Sequence, residues 1–319
     1  MSSTPQLALR RLAVIASVLA LFAVGCSAAT ASITSAPVVD GTAIEDEGVY
    51  ALAGLDAEEG TVPSNEFRDA LSLLIIQEAL LHAAATDFGL DDLSSQQAID
   101  AFVQSLPPEQ QQNIQVSIDA GVADGRDRAA TEHYLYTQQL LAKEVSDAIL
   151  SDPQFLDSVY NNNPELLVTV CASHILVATE DEAADVMARL EAGEDFATIA
   201  NEVSLDQQSP GGVLPCPVSV YSFGQELAPA MQGAPIGEIS GPVPSQFGFH
   251  VLLIDSRDQP ESLEELAADP SRWVSAAILD TELTTWYNGV LSQADITVRS
   301  QIGTWNPEAD AITPPPSSP

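Results

Sequence analysis

Positive charge is what this chain lacks most. Its 319 residues hold 10 Lys plus Arg against 46 Asp plus Glu, a formal net charge of −36, and Lys143 is the only lysine. Such a surface repels phosphate backbones and anionic headgroups, so the protein seeks neither nucleic acid nor an acidic membrane through its own field. Histidine and cysteine are scarce too, at four and three. No cluster of them supplies the ligands of a metal site, and neither metal nor cofactor is expected. No internal repeat is visible, which argues against a solenoid. The longest conspicuous apolar run, LAVIASVLALFAV from Leu12 to Val24, has 13 residues. That is too short to span a bilayer comfortably.

The run follows Arg10 and Arg11 and has the form of a secretory signal core. It ends in AVGC, which resembles a bacterial lipobox with Ala23 in place of the usual leucine. Residues 1–25 are therefore expected to be a signal peptide, with Cys26 lipidated as the new N-terminus. An ordinary signal with an incidental cysteine is the other reading. Residues 26–37 are small and polar, a flexible tether. The protein is expected to stand on the outer face of a cell membrane through this lipid anchor. Export would place Cys171 and Cys216 in an oxidising setting that favours a disulfide, two buried thiols being the alternative.

Beyond the tether, PVV reads as a short strand and Asp40-Gly41 as a turn. Ser64 to Phe88 reads as a helix with a wide apolar face, capped by Ser64 or Asn65. Further helices are expected at Gln96–Leu106, Glu109–Ala120, Asp127–Leu150 and Asp152–Asn161. Residues 38–165 thus look helical and chaperone-like, without a catalytic constellation. At Leu166 the pattern changes to β-rich LLVTVCASHILVA, two helices, a loop full of Gly and Pro, a short helix and two strands. This is an α+β domain at 166–258. Residues 259–305 read as helix and then strand, completing the helical domain so that the α+β domain is inserted within it. Residues 306–319 form a Pro-rich tail, loose at its end.

The succession VCASHILVA, AGEDFATIANEVSLD, SPGG, GQELAPAM, GEISGPV and SQFGFHVLLI resembles the parvulin family of peptidyl-prolyl cis/trans isomerases over roughly 168–257. The whole-chain layout resembles the secreted foldases of the SurA and PrsA type. The first resemblance implies an antiparallel sheet with surrounding helices. It implies that His174 and His250 meet across strands and that Asp206 lies beside the substrate carbonyl. It implies a proline slot lined by Leu214, Leu227, Met231 and Phe247 or Phe249, with Gln225 and Ser245 at the rim. The sequence departs from the family where GGDLG becomes Gly211-Gly212-Val213-Leu214-Pro215. It departs again where Ala178–Asp185 is acidic, which argues against a demand for phosphorylated substrates.

Rotation about an X–Pro amide faces a barrier of about 18–20 kcal/mol. It needs no bond made or broken, only tighter binding of the twisted amide than of either planar form. A carboxylate near the carbonyl opposes the charge separation of the resonant amide. Two neutral imidazoles, each with one donor and one acceptor, can satisfy each other when buried. The resemblance thus implies an isomerase acting on unfolded or partly folded exported polypeptides. A holdase with a degenerate parvulin domain, or a structural surface lipoprotein, are the alternatives.

Overall fold

Val38–Val39 (β1) and Thr42–Ala43 (β2) open the part of the chain that a computed structural model describes, residues 37–56 and 64–316. The expected signal peptide and Cys26 lie outside the described residues. Asp46–Ala53 (α1) ends on Gly54 in the left-handed conformation. Asn65–Phe88 (α2) begins where the Ser64 side chain accepts the Phe67 amide, and ends on left-handed Gly89. Its length and apolarity would suit a membrane, but half of its most apolar window is buried in protein, and Leu71, Ile75 and Ile76 are among the buried residues of the helix. Gln96–Ser105 (α3), Pro108–Ala123 (α4) and Arg128–Ser151 (α5) follow. Pro108 sits within the first turn of α4, where its missing N–H costs nothing.

Pro153–Asn162 (α6) leads to Thr169–Val177 (β3). Glu180–Glu191 (α7) starts with a reciprocal capping box between Thr179 and Glu182. Phe196–Val203 (α8), the two-residue Val218–Ser219 (β4), Gly224–Gly233 (α9), Ile239–Ser245 (β5) and Gly248–Asp258 (β6) complete the central module. Leu263–Ala268 (α10), Pro270–Trp273 (α11) and Ala276–Gln293 (α12) come next. Ile296–Thr297 (β7), Thr304–Asn306 (β8) and Ala311–Thr313 (β9) close the chain.

Two compact units divide these elements. One is Ile149–Thr281; the other joins the segment ending at Ala148 to the segment beginning at Glu282. In the second, β1 lies between β2 and β7, with Val38 opposite Thr297. The two ends of the chain therefore share a sheet, and the central module is an insertion. Arg68 donates through Nε to the Ile302 carbonyl at 2.7 Å, and Trp286 Nε1 donates to Asp87 at 2.9 Å. The tail does more than its proline content suggests. β9 pairs with β8, Ile312 is buried, and its amide donates to Ser72 Oγ at 3.0 Å.

The inserted unit is built on a four-stranded antiparallel sheet in the order β4-β3-β6-β5. Side chains alternate across it. One face packs Val170, Ala172, Leu252 and Ile254 against Leu214, Leu227 and Met231. The other packs Ile175, Val177 and Val251 against Val186 and Ile199 of α7 and α8. The unit extends beyond residues 166–258. Leu156, Leu167, Leu266 and fully buried Trp273 form a third cluster, made by the helices on either side of the module.

Candidate active site

His174 and His250 stand on neighbouring strands in diagonal register: His174 is opposite Leu252, and His250 is opposite Leu176. Both rings project from the face that carries Leu252 and Ile254, as the period of two requires. A glycine lies behind each backbone. Gly212 has φ +76°, and a Cβ there would run into the His174 carbonyl oxygen. Gly241 has φ +128°, and its Cβ would lie 2.7 Å from the His250 carbonyl oxygen. Only glycine permits both the dihedral and the approach.

Asp206 reaches the pair because the end of α8 is pinned to β3. The Leu205 amide donates to the Leu176 carbonyl at 2.7 Å, and the Leu176 amide donates to Ser204 Oγ at 3.2 Å. Ser245 arrives from the tight β5–β6 hairpin, where it pairs with Gly248 and its hydroxyl accepts the Phe247 amide at 3.1 Å.

Four side chains then connect. Ser245 Oγ is 2.8 Å from His250 Nε2, His250 Nδ1 is 3.3 Å from His174 Nδ1, and His174 Nε2 is 2.7 Å from Asp206 Oδ2. One proton assignment satisfies every contact with both imidazoles neutral. Ser245 donates to His250 Nε2, His250 Nδ1–H donates to His174 Nδ1, and His174 Nε2–H donates to the carboxylate. Asp206 also accepts from Ser209 Oγ at 2.7 Å and from the Gln208 amide at 3.0 Å. Reversing the chain would require either an imidazolium or a protonated Asp206.

The electrostatics favour a neutral His250. Burial, with His174 adding to it and Asp206 opposing, pushes His250 down to about 4. Burial would raise the Asp206 carboxyl, but hydrogen bonds from Ser209, His174 and the Gln208 amide outweigh it and hold the carboxyl below its usual range. The result is an ionised, partly exposed carboxylate at the end of a buried chain in which His250 is neutral.

The apolar residues read from the sequence separate into three groups. Leu214, Leu227 and Met231 pack together on the histidine face, but they are 5%, 4% and 0% exposed. They form a closed floor. Arg257 steadies that floor by donating to the Met231 and Ala234 carbonyls at 2.7 and 2.6 Å, at the end of α9. Phe249 packs on the opposite face with α7 and α8. Phe247 stands at the hairpin turn, 68% exposed. The Gln225 side chain lies outside the described residues. The Cys171–Cys216 disulfide is present, with Cα atoms 4.8 Å apart. A cavity of about 500 Å³ in the same unit, lined by Leu150, Leu156, Leu263 and Pro270, shares no residue with the histidine chain.

Sequence reading missed Ser209, Ser204 and Gly241, and named Gly212 only within the Gly211–Pro215 motif. Only Ser209 left a signal, as the hydroxyl three residues after Asp206 in a turn-forming stretch. It also missed Leu205 and Val213, exposed apolar residues adjacent to Asp206 and Leu214.

An antiparallel sheet with two facing histidines and a carboxylate on a pinned loop defines a parvulin-type isomerase domain. Residues 174–256 match the family model described as PPIC-type PPIASE domain. This segment of the chain is accordingly a parvulin-type peptidyl-prolyl isomerase domain, and the chain as a whole is similar to foldases of the PrsA type. It is 27% identical over 256 residues to a foldase protein PrsA from Halalkalibacterium halodurans, covering 76% of this chain and 73% of that one. It is 36% identical over 146 residues to the PrsA of Clostridium botulinum strain Loch Maree, covering 42% of this chain and 43% of that one. The match therefore spans less than half of the second relative. Among solved structures, a peptidylprolyl isomerase (PrsA) from Bacillus anthracis aligns with a TM-score of 0.42 and 20% identity, covering 70% of this chain and 96% of that one.

Proposed function

We propose that the protein is an exported, lipid-anchored prolyl isomerase that assists folding of exported polypeptides at the outer face of the cell membrane. The observation that carries the catalytic part is the chain Ser245–His250–His174–Asp206, which ends in an ionised carboxylate. In this reading His174 and His250 orient and desolvate Asp206 from below. The carboxylate disfavours the polar resonance form of the substrate amide, and no covalent step is needed. The substrate proline docks over Leu214 and Leu227, with Leu205, Val213 and Phe247 as the exposed apolar rim. Uncatalysed isomerisation takes tens of seconds or longer, slow enough to limit folding.

The closed floor favours a second reading. A slot that presents so little of Leu214, Leu227 and Met231 suits a holdase whose parvulin domain no longer turns over. NMR exchange on a proline tetrapeptide separates the two. Catalysed exchange that Asp206→Ala abolishes supports the isomerase. Exchange at the background rate, together with suppressed client aggregation that survives the same substitution, supports the holdase. For the anchor, Cys26→Ser should release the protein into the medium, and unchanged membrane association would remove that part of the proposal.

A further inference from the structure

The loop carrying Leu214 is tied to β3 on both sides of a gap. On one side the Leu214 amide donates to the Ala172 carbonyl at 3.0 Å, and Val213 pairs with Ser173. On the other, Val218 and Ser219 pair with Val170 and Thr169. Between them lie Pro215, Cys216 and Pro217. The two prolines have no N–H, so the ladder cannot continue there. Opposite the gap, the pairing of β3 with β6 shifts register between Cys171 and Ala172. The Cys171–Cys216 disulfide spans this place, with Cys216 exposed and Cys171 half-buried. The same loop starts at Gly211 and Gly212, where Gly212 lies against the His174 carbonyl, and it supplies Leu214 to the floor beneath the site.

We propose that the Cys171–Cys216 disulfide is a redox-sensitive positioning element of the isomerase. Oxidised, it holds the Val213–Pro217 segment and Leu214 against β3. Reduced by an external dithiol, it lets that segment move and weakens the grip on the substrate proline. The chemistry balances as thiol–disulfide exchange. A reductant thiolate attacks the exposed Cys216 sulfur, the bond between the cysteines breaks, and Cys171 leaves as a thiolate and takes up a proton. The reductant's second thiol then closes its own disulfide and releases Cys216 as a thiol. Two electrons pass from dithiol to protein.

The effect is local. The histidines sit on β3 and β6, which pair directly with each other along Thr169–Val177. A staple that merely held the fold together would change both turnover and stability. A positioning element should change substrate binding and leave the histidine chain intact.

The inference rests on the isomerase reading, and the test keeps the two apart. The full chain is assayed with a proline tetrapeptide, oxidised and after dithiothreitol treatment, with thiol status read by mass spectrometry. Expected on reduction is a rise of about tenfold in KM, the scale of a small change in a hydrophobic pocket, with kcat unchanged. Histidine imidazole NMR signals should stay in place, and reoxidation should restore binding. Cys171→Ser with Cys216→Ser should show the raised KM of the reduced protein under both conditions. Should that pair fail to fold, Cys171→Val with Cys216→Ala takes its place. Equal KM in the two redox states would overturn the inference. So would loss of the far-UV dichroism on reduction, because the bridge would then be a general staple. If neither form accelerates exchange or binds the peptide, the isomerase reading falls, and the inference with it.

Discussion

His174 and His250 face each other Nδ1 to Nδ1 at 3.3 Å, with ring centroids 5.4 Å apart and planes inclined by 22°. Two imidazolium ions could not share that contact, since each would present a proton to the other. The pair therefore needs at least one neutral ring, and burial decides in favour of keeping His250 neutral.

That preference has a pH signature. The folded state holds His250 at about 4 against 6.5 for the free side chain. Between those values the unfolded chain binds more protons, so stability rises with pH, is complete above about 6.5, and is lost as pH falls towards 4. Urea unfolding at pH 4.5 and 7 should show wild type losing more stability on acidification than His250→Gln. Parallel losses in the two proteins would assign the pH dependence to other groups, such as the many carboxylates.

Removing the carboxylate should separate catalysis from folding. Asp206→Asn keeps the shape but takes away the negative charge and the strong acceptor of His174 Nε2–H. Its kcat/KM should fall by about 10²-fold, the scale of one electrostatic group in a preorganised site. The circular dichroism spectrum should not change. Activity within twofold of wild type would put Asp206 outside the chemistry.

Gly212 and Gly193 both have positive φ, at +76° and +87°, but only Gly212 is crowded. Gly193→Ala should cost about 1 kcal/mol, the left-handed penalty alone. Gly212→Ala adds a collision with the His174 carbonyl oxygen and should cost at least about 3 kcal/mol. Equal costs in chemical denaturation would mean that the loop yields freely at Gly212.

Met231 tests the closed floor. As a fully buried residue, its replacement by alanine should destabilise the inserted unit by about 2–5 kcal/mol. A side chain that lined an open slot would instead lose activity at nearly unchanged stability. The urea midpoint and the peptide KM, measured on the same sample, distinguish these outcomes.

Much of this protein was legible before any coordinates. The start of α2 followed from Ser64 as a cap, because such caps act within a few residues. His174, Asp206 and His250 were singled out by the resemblance of the ordered segments to the parvulin family. The pairing of Cys171 with Cys216 was expected from the compartment. The strand at Ala311–Thr313 was hidden, because its only reason to form is a place beside β8 and α2 that proline-rich composition does not reveal.

Local sequence determined most of the helices and strands, because capping, periodicity and turn preference act over a few residues. The tertiary structure decided which face each side chain occupies and how much of it remains open. Phe249 and His250 are neighbours in sequence, yet the pleat sends one into the helix-packed core and the other into the proton chain. Met231 suits a slot by its chemistry, but contacts from distant strands bury it completely. Exposure and face are sums over contacts made by residues far apart in the chain, so only the folded arrangement fixes them.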